Sequence, residues 1–129
     1  MKLNSKIKDM RKSWKMKLCK QWQKRLNLSD WTIVFKVDQD KEDLDLENVS
    51  GEAIYVRLNK SAIIRVIDKD QYPKECILPF NFEKTLVHEL LHLKFNLVEL
   101  MTDGSVEDII VHRLIEDMAN ILVEKENKK

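Results

Sequence analysis

The chain has few of the residues that interrupt regular structure, with two glycines and two prolines in 129 residues. Its two cysteines, Cys19 and Cys76, lie far apart and form no CxxC pair, which argues against a disulfide framework and a cysteine zinc site. No run of 18 apolar residues is present, so no membrane span is expected. The first 22 residues carry frequent lysines instead of an apolar stretch, which argues against a signal peptide. We expect a cytoplasmic protein with few, short loops.

Charged and apolar residues are abundant, at 35% and 43% of the chain, which is typical of a compact globular protein. The length predicts one domain over residues 1–129. The net charge of +1 is unevenly distributed, because residues 1–25 hold ten Lys and Arg against Asp9 alone. This asymmetry indicates either a contact with nucleic acid or a membrane surface, or only a solvated helix face.

Periodicity in the first half of the chain predicts one helix and three strands. Apolar residues recur every three or four positions from Ser5 to Leu26, which predicts a basic amphipathic helix within residues 1–27, ending near Asn27. The run "WTIVFKVD" predicts a strand, and "AIYVRL" and "AIIRVI" predict a β-hairpin around a short polar turn. The apolar positions expected to pack in the core from the first helix are Ile7, Met10, Trp14, Leu18, Trp22 and Leu26.

Two further helices are predicted in the second half. Asn81 can cap the first, and "MTDGS", which contains Gly104, ends it. Ser105 and Asp108 have the spacing of a capping box at the start of a final helix, from Val106 to about Lys125. The fold class is therefore α+β, with a small, mostly antiparallel three-stranded sheet.

The first of these helices contains "LVHELLHL", residues 86–93. His88 and His92 are one helical turn apart, so both imidazoles can reach a single zinc ion. Glu89 can then take a proton from a zinc-activated water as general base. The alternative is a core helix with two hydrogen-bonded histidines. A metal would satisfy both buried imidazoles at once, and the motif therefore favours a Zn²⁺ centre.

This HExxH helix, preceded by a hairpin and followed by a helix with acidic residues, resembles the zincin metallopeptidases of the gluzincin kind. The resemblance is closest to minigluzincins and to ImmA/IrrE-type and phage-borne peptidases, and it covers roughly residues 30–125. It implies a zincin-like fold in which the HExxH helix and a C-terminal ligand helix hold zinc, and hydrolysis of peptide or protein substrates. The resemblance to SprT-type peptidases stops at HExxH, and it leaves the basic helix unexplained.

In that family a glutamate on the following helix is the third zinc ligand. Glu116 in "EDMAN" matches the family's E-x-x-A-N arrangement, which implies that Glu116 is this ligand. His112, one turn earlier, is the alternative third ligand, because imidazole is the commonest zinc ligand. The other carboxylates that remain open are Glu99, Glu107 and Asp108. The apolar stripe of the last helix contains Val111, Leu114, Met118, Ile121 and Leu122, and Glu116 is expected roughly opposite to it.

The resemblance also implies an oxyanion-stabilising Tyr, His or Arg, for which the candidates are Tyr55, Tyr72, His112 and Arg113. The leading hypothesis is a small zinc metallopeptidase. The alternative is a zincin-fold regulatory or nucleic-acid-associated module, with little or no peptidase activity, that binds through its Lys-rich first helix.

Overall fold

The computed structural model describes residues 2–46, 49–76, 78–102 and 104–128. These residues form four α-helices, three β-strands and two short 3₁₀ helices at Lys41–Asp43 and Lys69–Gln71. The α+β class predicted from the sequence is confirmed. Along the chain the main elements are α1 (Lys2–Arg25), β1 (Thr32–Gln39), β2 (Gly51–Val56), β3 (Ser61–Ile67), α2 (Phe82–Lys94), α3 (Asn96–Thr102) and α4 (Val106–Asn127).

The three strands form one mixed sheet in the order β1-β3-β2. The predicted hairpin is present, since β2 and β3 pair antiparallel with Ile54 opposite Ile63. The prediction of a mostly antiparallel sheet is wrong for β1, which pairs parallel to β3 with Phe35 opposite Ile64. The nearly uninterrupted apolar sequence of β3 suits the central position of the sheet. Strand β3 pairs with a strand on each side, and β2 therefore lies at an edge.

Among the described side chains of α1, those of the second half pack in the core as predicted. Cys19 and Trp22 are buried, whereas Met10 and Trp14 are exposed, and the side chain of Ile7 lies outside the described residues. The Trp22 Nε1 donates a hydrogen bond to Glu83 Oε2 at 2.6 Å, which ties α1 to the first turn of α2. The helix ends as predicted, with Asn27 in the left-handed region at φ 59°.

Helix α2 lies at the centre of the fold, in contact with the sheet, α1 and α4. It begins where expected, because the Asn81 side chain accepts a hydrogen bond from the Lys84 backbone N–H at 3.0 Å. Its buried residues are Phe82, Leu86, Val87, Glu89, Leu90, Leu91 and Leu93. In the part of the chain that the structure describes, no helix is both long and apolar enough to cross a membrane.

The segment after α2 differs from the prediction. The helix ends at Lys94, before "MTDGS", and α3 follows as a separate short helix. Asn96 explains the break, because its side-chain N–H donates to the Leu93 carbonyl at 2.7 Å and so satisfies one of the last carbonyls of α2. The break turns the chain so that Glu99, on α3, becomes buried beside α2.

Helix α4 starts at Val106 as expected, but the predicted capping box at Ser105 is absent. Ser105 is the N-cap residue and makes no side-chain cap hydrogen bond, because its hydroxyl donates to the Thr102 carbonyl instead. The predicted apolar stripe is also partly wrong. The face of α4 that is fully buried consists of Ile115, Ala119 and Val123, while Leu114 and Ile121 are exposed.

Candidate metal centre

A cleft of about 740 Å³ is lined by β2, α2 and α4 and by the loops that precede β2 and α2. Helices α2 and α4 run in opposite directions along the cleft. This follows from their contacts, since His88 lies opposite Glu116 and His92 lies next to His112. All three histidines of the chain line this cleft. The cleft is the size of a small-ligand or peptide site.

The predicted pair on α2 is close enough to share one ion. The ring centroids of His88 and His92 are 5.0 Å apart, and those of His92 and His112 are 5.2 Å apart. The potential ligand atoms of His88, Glu89 and His92 lie within 4.8 Å of one another, as do those of His92, Glu99 and His112. The fold therefore brings together, from separate helices, histidines that the sequence predicts as metal ligands.

All three histidine rings contact the protein through the same nitrogen, Nδ1. Each Nδ1 faces an oxygen atom: Glu116 Oε2 at 2.6 Å from His88, Glu99 Oε1 at 2.5 Å from His92, and the Asp108 carbonyl at 2.8 Å from His112. A neutral imidazole that donates from Nδ1 keeps its lone pair on Nε2, which is the atom that can bind a metal. Burial lowers the pKa of His92, which favours this neutral form.

Glu89 is a buried carboxylate with an unpaired oxygen. It is 6% exposed, and its Oε2 has no hydrogen-bond partner among the described residues. Burial, together with the neighbouring negative charges of Glu52, Glu99 and Glu116, raises the pKa of Glu89 to about 8. Such a group is costly unless a proton, a cation or a polar ligand compensates it.

Gly51 allows β2 to approach α2 directly at Glu89. A Cβ atom at Gly51 would lie 2.8 Å from Thr85 Cγ2, 3.1 Å from the Arg65 carbonyl oxygen and 3.3 Å from Glu89 Cγ. A side chain at this position would therefore push against both the sheet and the motif helix. The absence of a Cβ lets the edge strand lie next to the candidate general base.

Glu52 follows Gly51 and is almost fully buried, at 2% exposure. Its carboxylate accepts hydrogen bonds from the backbone N–H groups of Asp45 and Leu46, at 2.9 Å and 3.3 Å, and pairs with Arg65 at 3.3 Å. These contacts hold Asp45 and Leu46 against β2, where Leu46 lines the cleft. Glu52 is thus a structural anchor next to the candidate centre.

Both candidate third ligands lie in the cleft. Glu116 and Asn120, from the "EDMAN" segment, line it, and His112 does so one turn earlier. Two atoms bound to one tetrahedral zinc at 2.0–2.1 Å lie about 3.3 Å apart, so the 2.6 Å between Glu116 and His88 is a hydrogen-bond distance. In this arrangement Glu116 Oε2 is hydrogen-bonded to His88, whereas the Nδ1 contact of His112 leaves its Nε2 available.

The donor set suits zinc. Imidazole nitrogens and carboxylate oxygens are ligands that zinc accepts, and each candidate histidine has an oxygen partner on its other nitrogen. The unpaired Glu89 oxygen adds a buried acceptor next to them. These residues therefore fit a zinc ion.

The remaining carboxylate candidates have other positions. Asp108 lies on the far side of the His112 ring, with Oδ1 3.3 Å from Nδ1, and Glu107 is exposed at the start of α4. Glu99 is buried and contacts His92. Periodicity does not reveal this contact, because Glu99 lies in a segment whose pattern predicts a continuation of the motif helix.

Among the oxyanion candidates, Tyr55, Tyr72 and His112 line the cleft, while Arg113 is exposed and lies outside the lining formed by the described residues. The Tyr55 hydroxyl donates to Glu99 at 3.2 Å, and the Tyr72 hydroxyl donates to the Leu78 carbonyl at 3.0 Å. Burial raises the pKa of Tyr55. Both tyrosine hydroxyls are therefore engaged by the protein.

A scan against models of protein families, a search of curated proteins and a search of solved structures each found no match to this chain. The resemblance to gluzincins therefore rests on the sequence alone, on the HExxH motif and the segments around it.

Proposed function

We propose that this chain is a small zinc-dependent metallopeptidase of the zincin type. The observation that carries the proposal is the convergence of His88 and His92 beside a buried, unpaired Glu89, with His112 and Glu116 facing them from α4. A buried core helix would instead pair its polar atoms within the protein. The side chains of His88, Glu89, His92, His112 and Glu116 all line one cleft.

Zinc, when bound, supplies Lewis acidity and brings the pKa of a water molecule towards neutrality. His88 and His92 would hold the ion through Nε2, and Glu116, or alternatively His112, would complete the set. Glu89 would take the proton that the attacking water loses and deliver it to the amine that leaves when the peptide C–N bond breaks. Its position between acidic neighbours favours proton uptake, and a nearby cation favours the ionised form that starts the cycle.

A peptide substrate is supported by the edge strand β2. Its residues Gly51, Ala53 and Tyr55 line the cleft, and β2 has a neighbour on one side only in the described sheet. An extended peptide can add to such an edge through backbone hydrogen bonds. This would hold a scissile carbonyl next to Glu89 without requiring a particular side-chain sequence.

Metal analysis of the purified protein tests the proposal. We expect about one zinc ion per chain in the wild type and none in His88→Ala or His92→Ala. Glu89→Gln should keep its zinc and lose cleavage of a quenched-fluorescent peptide library. Wild-type protein without zinc would overturn the metal centre, and full cleavage by Glu89→Gln would overturn the role of Glu89 as general base.

A second candidate function is nucleic-acid binding through α1, alone or combined with peptidase activity. Lys12, Lys17, Lys20 and Lys24 are exposed and lie within less than half of the circumference of the helix. Binding that neutralises phosphates weakens steeply as salt is added. We expect salt-dependent retention on DNA or RNA that is reduced when these four lysines are changed to glutamine. No retention at low salt would exclude this function.

A further inference from the structure

Glu99 is a buried carboxylate for which the proposed hydrolysis has no role. Its side chain is 11% exposed, and it lies on α3, the short helix that follows the motif helix. Both oxygens are engaged: Oε1 lies 2.5 Å from His92 Nδ1, and Oε2 accepts a hydrogen bond from the Tyr55 hydroxyl at 3.2 Å. Burying a carboxylate is costly, and these contacts compensate part of the cost.

The distance between Glu99 and His92 distinguishes two roles for Glu99, that of a metal ligand and that of a residue that orients a ligand. Two ligands of one tetrahedral zinc ion lie about 3.3 Å apart, so 2.5 Å corresponds to a hydrogen bond. The contact also uses Nδ1, which leaves Nε2 of His92 for the ion. Glu99 therefore has the geometry of a residue that orients a ligand.

Two elements outside α2 hold Glu99 in place. Arg57, just after β2, donates from its guanidinium to the Tyr55 hydroxyl at 3.3 Å, and its carbon Cζ lies 5.2 Å from the centre of the Tyr55 ring. The same guanidinium donates to the Asn96 carbonyl at 3.2 Å, at the start of α3. A continuous chain of contacts thus runs from Arg57 through Tyr55 and Glu99 to His92.

We propose that Glu99 is a positioning residue of the metal centre, which holds His92 with its proton on Nδ1 and its Nε2 directed at the ion, and that Tyr55 and Arg57 support it. This inference rests on the proposed zinc centre. Carboxylates that bind the second nitrogen of a ligand histidine fix the ring and raise its basicity.

The metal-free protein provides the first test. Long-range ¹H–¹⁵N spectra of the imidazole side chains report which nitrogen of His92 carries the proton. We expect the Nδ1–H form in the wild type, the same form in Glu99→Gln, whose amide oxygen can still accept, and loss of this preference in Glu99→Leu. His92 protonated on Nε2 in the wild type would overturn the proposal.

Metal affinity provides the second test. We expect zinc to bind about 100-fold more weakly to Glu99→Leu and about 10-fold more weakly to Glu99→Gln, with a smaller loss in Tyr55→Phe. Glu42→Gln changes an exposed carboxylate away from the cleft, so it is the matched control and should bind as the wild type does. Because Glu99→Leu alters the interior, circular dichroism checks its fold, and Glu99→Gln keeps the test decisive if that variant unfolds.

Cobalt absorption distinguishes a positioning residue from a ligand. The d–d bands of Co²⁺-loaded Glu99→Gln should match those of the wild type at saturation, whereas His92→Ala should change them, because a ligand is lost. Altered bands in Glu99→Gln, or a zinc affinity within twofold of the wild type, would overturn the role of Glu99 alone. A wild-type protein that binds neither metal would overturn the zinc centre itself and this inference with it.

Discussion

Helices α2 and α4 both line the cleft, but they are packed very differently. Seven of the thirteen residues of α2 are buried, against three in the twenty-two residues of α4. Helix α2 lies between the sheet and two other helices, so its polar side chains emerge only where the cleft opens. Helix α4 is covered on one narrow face. The apolar residues that it leaves exposed include Val106, Ile109, Ile110, Leu114 and Ile121.

This difference explains which site residues the sequence could assign. In α2 the positions of His88 and His92 follow from the motif alone, since residues four apart share a face whatever surrounds them. In α4 the apolar stripe predicted from the sequence places Glu116 roughly on the opposite side of the helix. The buried face of Ile115, Ala119 and Val123 turns Glu116 towards α2, which the stripe chosen from the sequence did not indicate.

The largest expected effect concerns the residue of α4 that binds zinc. The Glu116→Ala and His112→Ala variants compare the two candidates directly. Removing the residue that binds zinc should weaken zinc affinity at least about 1,000-fold, well beyond the roughly 10–100-fold loss expected on removing a supporting residue. We expect the loss at Glu116 if its side chain rotates to the ion, and at His112 if Glu116 stays bonded to His88. Equal, small losses in both variants would mean that α4 supplies no ligand.

The next prediction compares how tightly α2 and α4 are packed, by truncating one leucine in each helix. Leu90→Ala in α2 should lower the free energy of unfolding by about 3 kcal/mol, because Leu90 is fully buried and its removal leaves a cavity. Leu114→Ala in α4 should change it by less than about 0.5 kcal/mol, because Leu114 is exposed. Urea denaturation measures both. A loss of more than about 1 kcal/mol at Leu114 would mean that this face of α4 is covered in solution.

Gly51→Ala tests how closely β2 approaches α2. The new methyl group would lie 2.8 Å from Thr85 Cγ2, and we expect a loss of about 2 kcal/mol in the free energy of unfolding. Thr85→Ser removes that methyl group and keeps the hydroxyl, so the cost of Gly51→Ala should fall in its presence. The Arg65 carbonyl at 3.1 Å still opposes the new Cβ, so part of the cost should remain. Fully additive effects would show that Thr85 is not the obstacle.

Much of the fold could be predicted from local patterns, whereas the contacts that complete the site could not. The order of helices and strands follows from periodicity, and the β2–β3 hairpin follows from its short turn. The parallel pairing of β1 depends on which strand lies at the centre, which no single segment encodes. Glu99 contacts His92 from a separate helix that starts after α2 has ended at Lys94, and the periodicity of the segment does not predict this break.

The smallest expected effects are those of removing the N-cap side chains of α2 and α4. Asn81→Ala removes the acceptor of the Lys84 N–H and should cost about 1 kcal/mol in the free energy of unfolding. Ser105→Ala should cost only a few tenths, because the Ser105 hydroxyl bonds to the Thr102 carbonyl and caps no N–H of α4. Ser and Asn are equally good N-cap residues by sequence, so the difference tests the local geometry. A cost at Ser105 equal to that at Asn81 would mean that the predicted capping box forms in solution, and that the start of α4 is held as firmly as the start of α2.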